Sequence, residues 1–325
     1  ISTIHDKFVR PFFISGDEQH LGFTTGVVLF NDNSVSAYDL LKRSETAMYE
    51  AKKETRGTNK FYESSMSRET QETLMVENDI HKAIRNNELI VYYQPQMDII
   101  DNKIIGAEAL VRWEHPEKGF ISPGLFIPIA EESGIIIKLE EWIIEKALEE
   151  IKELKKRLGH FPLDHIAINI STVHFLQPHF VDKLMLLIYK YGVAPEWVEL
   201  EITESGLMRN IDDAAKKIKE LKSFGFTFAI DDFGTGYSSL SYLKQLPVNL
   251  VKIDQSFVSN MHENKGDATI VEAVAAIAEK FDFKVLAEGV EDEETLALLK
   301  QFKCDIYQGY YWHRPMPMNE FTKLL

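Results

Sequence analysis

From Leu89 onward the chain repeats one pattern: a short apolar run, an acid or amide at or near its end, then an amphipathic helical segment. The runs are Leu89 to Met97, Ile104 to Leu110, His165 to Ile170, Val198 to Ile202, Phe226 to Ile230, Leu250 to Ile253, Phe283 to Ala287 and Asp305 to Tyr307. Between most of them apolar residues recur at helical spacing, as in Leu139 to Leu158, Ala214 to Phe224, Ile270 to Phe281 and Leu296 to Phe302. Strands alternating with helices imply a parallel sheet covered by helices, and a set of this size specifies an α/β barrel. Only Asp98 to Lys103 separates the first two runs, too few residues for a crossover helix, so those strands are expected to pair antiparallel. The expected fold is an atypical TIM-like (β/α)8 barrel with an antiparallel first strand.

Active sites of such barrels lie at the C-terminal ends of the strands. Here those ends carry Glu108, Asn169, Glu201, Asp231 with Asp232, Lys252 with Asp254, Glu288 and Gln308. Neighbouring carboxylates such as Asp231 and Asp232 repel by roughly 4 kcal/mol at about 4 Å when the effective dielectric constant is about 20. Oxygen ligands with no thiolate and no convergent histidine point to hard cations, Mg²⁺ or Mn²⁺. Two ions are expected, with Asp231 bridging a pair about 3.5–4 Å apart and Lys252 facing the nucleophilic water. Any one of these residues alone has a plainer reading. A lone acid after a strand is ordinarily a helix cap or a solvated loop residue, Gly234 and Gly236 would be turn residues, and Lys252 could pair with Asp254. It is the recurrence over five strands that singles them out. His115, His165, His174 and His313 show no ligand spacing and read as surface or core residues, and Met316-Pro317-Met318 reads as loop packing.

The composition sets outer limits. The chain has 325 residues, 45% hydrophobic and 27% charged, enough for one barrel of about 250 residues and a smaller piece. No apolar stretch approaches the roughly 18 residues of a membrane span, so no membrane contact is expected of this segment. A formal charge of -15 disfavours duplex nucleic acid. A phosphate substrate then needs metal ions to supply the positive charge. Cys304 is the only cysteine, which excludes internal disulfides and cysteine-based zinc clusters and fits a cytoplasmic setting, with any membrane anchor upstream.

The organisation differs before residue 62. Pro11-Phe12-Phe13-Ile14 and Leu21 to Phe30 are expected to form a hairpin around Ser15-Gly16-Asp17-Glu18. A helix is expected through Leu40, Leu41, Ser44, Ala47, Met48 and Ala51, with Asn59 to Tyr62 closing a small α/β unit. Glu63 to Asn87, with Leu74, Ile80 and Ile84 on one face, reads as a connecting helix.

Glu108-Ala109-Leu110-Val111-Arg112-Trp113 resembles the name-giving motif of EAL domains, the phosphodiesterases of the bacterial second messenger cyclic di-GMP. Asn169-Ile170-Ser171, Glu201-Ile202-Thr203-Glu204, Asp231 through Leu240, Lys252-Ile253-Asp254, Glu288-Gly289-Val290-Glu291 and Gln308-Gly309-Tyr310 follow in the family's order, over about residues 75 to 325. The resemblance implies hydrolysis of cyclic di-GMP to linear pGpG. It implies that Glu108, Asn169, Glu201 and Asp231 bind one Mg²⁺ or Mn²⁺, and that Asp231, Asp232 and Glu288 serve a second. By the same resemblance Lys252 orients the water, Gln308 stands near it, and Glu288, Glu108 and Glu204 belong to the catalytic set. Arg112, Gln94 and Asp254 are expected to contact substrate. Glu204 and Glu291 are expected to support the loop of Phe233, Gly234, Thr235 and Gly236. A homodimer through the barrel is also expected.

Residues 1–62 resemble the C-terminal part of a GGDEF, diguanylate cyclase-like, domain through Leu40-Leu41-Lys42-Arg43-Ser44 and Ala47 to Lys52, without its catalytic loop. The expected division is therefore a GGDEF-like fragment over 1–62, a connecting helix over 63–87 and an EAL domain over 75–325. Two other readings stand beside the enzyme: a catalytically silent cyclic di-GMP receptor, and an unrelated barrel acting on sugar phosphates.

Overall fold

The computed structural model describes residues 8, 12–14, 17–19, 22–30, 35–54, 57–208, 210–235 and 245–325. The chain divides into two compact units, Ile1–Asp79 and Ile80–Leu325.

In the first unit Thr25–Val27 pairs in parallel with Asn59–Phe61, and the helix Ala37–Glu54 makes the crossover between them. Phe12–Ile14 pairs antiparallel with Asp17–Gln19. The expected hairpin is thereby corrected. The first run is engaged by Asp17–Gln19, and the later run by the strand beyond the helix. Ser15, Gly16 and Leu21 lie outside the described residues. A helix spans Ser64–Asn86, within the expected 63–87, and stops at Asn87, which adopts a φ of 59°.

The second unit is a closed eight-stranded barrel. Its strands are β1 (Leu89–Asp98), β2 (Ile104–His115), β3 (His165–Asn169), β4 (Val198–Thr203), β5 (Thr227–Phe233), β6 (Leu250–Ile253), β7 (Lys284–Ala287) and β8 (Ile306–Tyr307). Strands β2 to β8 run parallel in sequence order, while β1 is antiparallel to both β2 and β8 and closes the ring. The Asp98 carboxylate shapes the β1–β2 turn by accepting the Ile100 and Asp101 N–H groups at 2.8 and 2.7 Å.

Strand β2 runs five residues beyond the expected end at Leu110, because its far half is paired on both sides. Leu89 and Ile90 face Trp113 and Arg112, and Gly119–Ile121 folds back on Trp113–His115. Met316–Pro317 likewise pairs with Tyr93 and Tyr92 of β1 where loop packing was expected. The helices begin earlier than their apolar cores. The longest runs Ile136–Leu158, burying Ile136, Leu139, Ile143, Ala147, Leu148, Ile151 and Leu154, and ends at Gly159 with a φ of 81°. Lys155, Lys156 and Arg157 in its last turn complement the helix dipole. Among the described residues, no helix is long and apolar enough to cross a membrane.

Candidate active site

Side chains two apart on a strand share a face. Inside the barrel Ala229, Leu250, Leu286 and Ile306 form one apolar cluster. Two residues further along the same strands, or just past their ends, come Asp231, Lys252, Glu288 and Gln308. The cluster is thus a floor, and the polar residues are the layer above it at the C-terminal mouth. Asn169 and Glu201 face each other across β3 and β4, and Gln94 faces Glu108 across β1 and β2. One alternation, repeated around the ring, assembles the site.

At its centre is Lys252, which has no solvent exposure. Its Nζ lies 2.6 Å from Glu201 Oε2, 2.8 Å from Glu288 Oε1, 3.1 Å from Asp231 Oδ1 and 3.6 Å from Glu108 Oε2. Burial alone would pull the ammonium pKa down, but Asp231, Glu108, Glu201 and Glu288 together hold it well above its ordinary value. The ammonium stays charged. Burial pushes the Glu201 carboxyl well above the usual carboxylate range, with Lys252 acting against it. Burial, reinforced by Asp231 and Glu108 and opposed by Lys252, pushes Glu288 up to about 7. Asp232 is raised by burial, then by Asp231 and Asp254. Four carboxylates around one ammonium leave the site short of positive charge.

The amides complete the layer. Asn169 Nδ2 donates to Glu108 Oε1 at 2.6 Å, and Gln308 Nε2 donates to Glu108 Oε2 at 2.6 Å and to Gln94 Oε1 at 3.2 Å. Glu201 Oε1 and Gln308 Oε1 are buried with no hydrogen-bond partner. A buried carboxylate oxygen left unpaired is costly. Asp231, Asp232 and Glu288 each bring a carboxylate oxygen to within 4.8 Å of the others. An all-oxygen set with an unpaired buried carboxylate oxygen and surplus negative charge fits hard divalent cations.

The adjacency of Asp231 and Asp232 is resolved in the backbone. Ala229 and Ile230 pair in register with Leu250 and Val251, but the register slips by one before Phe233 meets Ile253. This is a β-bulge. Asp232 takes a left-handed φ of 55°, and its N–H donates to Asp231 Oδ1 at 3.0 Å. Two neighbours that a regular strand would point apart are therefore turned toward one site. Strand β5 accordingly extends past the expected end at Ile230.

The following loop is tied down by Glu204, which is buried and whose Oε2 accepts the Gly234 N–H at 3.2 Å. Thr235 Oγ1 donates to the Asp232 carbonyl at 2.9 Å, and Phe233 is buried. Gly236 and residues 237–244 lie outside the described residues.

Two pockets open at this mouth. The smaller, about 270 Å³, is lined by Gln94, Glu108, Asp231, Glu288 and Gln308, with Glu291 also on its wall. The larger, about 560 Å³, shares Leu110, Asn169 and Asp231 with it and extends past Arg112 to Asp232. Glu108, Leu110 and Arg112 alternate along one face of β2, so that strand spans both pockets. The Arg112 guanidinium lies over the Tyr92 ring at 5.7 Å, and its Nη1 donates to the Val111 carbonyl. Asp254 lines neither pocket. It caps the helix Gln255–Val258, accepting the Ser256 N–H at 3.1 Å. A recess of about 930 Å³ around His165, Glu199 and Lys284, at the opposite mouth, holds none of the expected site residues.

Sequence reasoning passed over Glu140. It is buried in the apolar stripe of the helix Ile136–Leu158 and bonded to Ser171 and His174, beneath the turn that carries Asn169. The signal available was an acid at an apolar position of that stripe.

The EAL domain profile matches residues 77–315. The chain is 36% identical over 323 residues to the bifunctional diguanylate cyclase/cyclic di-GMP phosphodiesterase MucR of Pseudomonas aeruginosa, covering 98% of this chain and 47% of MucR. It is 33% identical over 319 residues to the cyclic di-GMP phosphodiesterase NbdA of the same organism, covering 98% of this chain and 40% of NbdA. It thus spans less than half the length of these curated relatives. Among solved structures, PaMucR phosphodiesterase in complex with c-di-GMP superposes with a TM-score of 0.73 at 37% identity, over 76% of this chain and 99% of that one. The barrel, its ring of acids around a buried lysine and these similarities lead to one assignment: the chain belongs to the EAL domain family.

Proposed function

We propose that this chain is a phosphodiesterase that hydrolyses one phosphodiester of cyclic di-GMP, giving linear pGpG, in bacterial second-messenger signalling. The observation that carries the reading is the buried Lys252 among Glu108, Glu201, Asp231 and Glu288 at the C-terminal mouth of the barrel, in a chain similar to named cyclic di-GMP phosphodiesterases. Glu108, Asn169, Glu201 and Asp231 would hold one Mg²⁺ or Mn²⁺, and Asp231, Asp232 and Glu288 a second. When bound, such ions supply charge stabilisation at phosphorus and make water nucleophilic at neutral pH.

The chain's own residues do the rest. Lys252, fixed and charged, orients the attacking water by hydrogen bonding. Gln308, held by Glu108 and Gln94, keeps its Oε1 free to accept from that water. Arg112 and Gln94 meet the phosphate and sugar along the two pockets. The water oxygen bonds to phosphorus, one P–O ester bond breaks, and the departing sugar oxygen takes up a proton. Glu204 keeps the Gly234 loop in place.

Residues 1–62 are proposed as part of a GGDEF-like domain, and pairing through the barrel into a homodimer as the working assembly. The proposed setting is the cytoplasm. Incubation with cyclic di-GMP and Mn²⁺, followed by chromatography, tests the activity: pGpG should appear, and Glu108→Ala should abolish it. Binding without turnover would instead identify a receptor, and no binding at all would leave the sugar-phosphate reading.

A further inference from the structure

Glu140 is 5% exposed, on the apolar stripe of the helix Ile136–Leu158 between Leu139 and Ile143. A carboxylate there needs several donors, and it has three. Oε1 accepts the Ser171 N–H at 2.7 Å, and Oε2 accepts the Ser171 hydroxyl at 3.1 Å and faces His174 Nδ1 at 2.9 Å. His174 is 2% exposed and packs edge-on against Phe180, with ring centroids 4.9 Å apart. Ser171 Oγ in turn accepts the His174 N–H at 3.3 Å and caps the helix Thr172–Phe175. All these bonds converge on the turn that leaves β3 at Asn169. Asn169 Nδ2 is committed to Glu108, so its Oδ1 is the atom left for an ion, and that atom's place depends on where the turn sits.

We propose that Glu140 is a positioning residue for the cation site: from the wall of the larger pocket it fixes the Asn169–Ser171 turn, and through it the oxygen that Asn169 presents. The inference rests on the reading of Asn169 as a cation ligand. Partners that orient metal ligands typically account for about 10-fold to 100-fold in metal affinity. A purely structural role would lower stability without changing ion affinity.

The test is Mn²⁺ binding by the full chain, read from the electron paramagnetic resonance signal of free Mn²⁺ without substrate, beside thermal melts. Glu140→Ala is expected to weaken Mn²⁺ binding about tenfold or more. Glu140→Gln retains an oxygen for the Ser171 N–H and can donate to the other tautomer of His174, so it should restore affinity to within about threefold. Should Glu140→Ala fail to fold, Ser171→Pro carries the test. Ser171 has a φ of -65°, which the proline ring matches, and the substitution deletes two of the three donors to Glu140, leaving His174. It too should weaken binding about tenfold. Wild-type Mn²⁺ affinity in a folded Glu140→Ala or in Ser171→Pro overturns the inference. No Mn²⁺ binding by the wild-type chain would refute the metal reading itself, a separate failure.

Discussion

Lys252 Nζ and Glu201 Oε2 are 2.6 Å apart, and neither side chain has any solvent exposure. Breaking a buried ion pair from one side typically costs about 3–5 kcal/mol, since the other charge is left without a partner. Lys252→Met is therefore expected to lower the denaturant midpoint of the metal-free protein. If Lys252 orients the attacking water, the same substitution should reduce turnover by about 100-fold or more. Urea titration and chromatographic assay of pGpG measure the two effects. Turnover at the wild-type rate would remove Lys252 from the mechanism.

The raised carboxyls give the metal-free protein a defined pH response. Glu288 moves from an ordinary 4.5 to about 7, so the folded state holds that proton more tightly than the unfolded one. A carboxyl raised in this way destabilises the fold as it ionises, and stability falls as pH rises from about 4.5 to about 7. Glu201 and Asp232 shift in the same direction. In chelator, the Tm of wild type relative to Glu288→Gln should drop across this interval. Above it, added Mn²⁺ should recover about 2.7 kcal/mol at a hundred times its Kd. A wild-type Tm that gains on the variant as pH rises would contradict the assigned cause.

Glu204 ties Gly234 to the helix Glu204–Leu207, its Oε2 accepting the Gly234 N–H at 3.2 Å. Glu204→Ala should cost about tenfold or more in turnover, with a stability loss of only about 1–3 kcal/mol. Glu204→Gln keeps an acceptor and should recover part of the rate. Equal losses in the two variants would show that charge, and not this bond, is what matters.

Gly309 follows Gln308 and lies against the backbone of Val290. A Cβ at Gly309 would stand 2.0 Å from the Val290 carbonyl oxygen and 2.3 Å from its nitrogen, and neither can swing aside. Gly309→Ala is expected to cost roughly 1–3 kcal/mol and to shift Gln308, lowering turnover as well. Gly124→Ala meets only Ser122 Oγ at 3.6 Å and serves as the neutral control. Thermal melts of both variants check the contrast.

The barrel was legible because period-two alternation and strand-end polarity are local properties. Glu108, Asn169, Glu201, Asp231, Lys252, Glu288 and Gln308 each stand near or just past the end of their own apolar run, and ring closure brings them together without any further information. What depends on distant partners was not legible. The extension of β2 to His115 needs Gly119–Ile121 to fold back on it. The pairing of Thr25–Val27 is set by Asn59–Phe61, on the far side of a helix. Glu140 reads as an ordinary helix acid until Ser171 and His174 are seen beside it. Asp254, expected to contact substrate, also caps a helix through its Oδ1, a role that only the Ser256 N–H beside it reveals.

The bulge at Asp231-Asp232 separates two tasks that a regular strand would merge. Pairing with Val251 below and Ile253 above secures β5 in the ring, whereas the slipped residue between them serves only to aim a second carboxylate. The pairing of the ring thus asks of position 232 only a residue that tolerates a left-handed φ. On the proposed reading, exchanging Asp232 would remove a cation ligand and with it turnover while leaving the pockets of the mouth in place, so that hydrolysis and ligand reception would be separated by few substitutions.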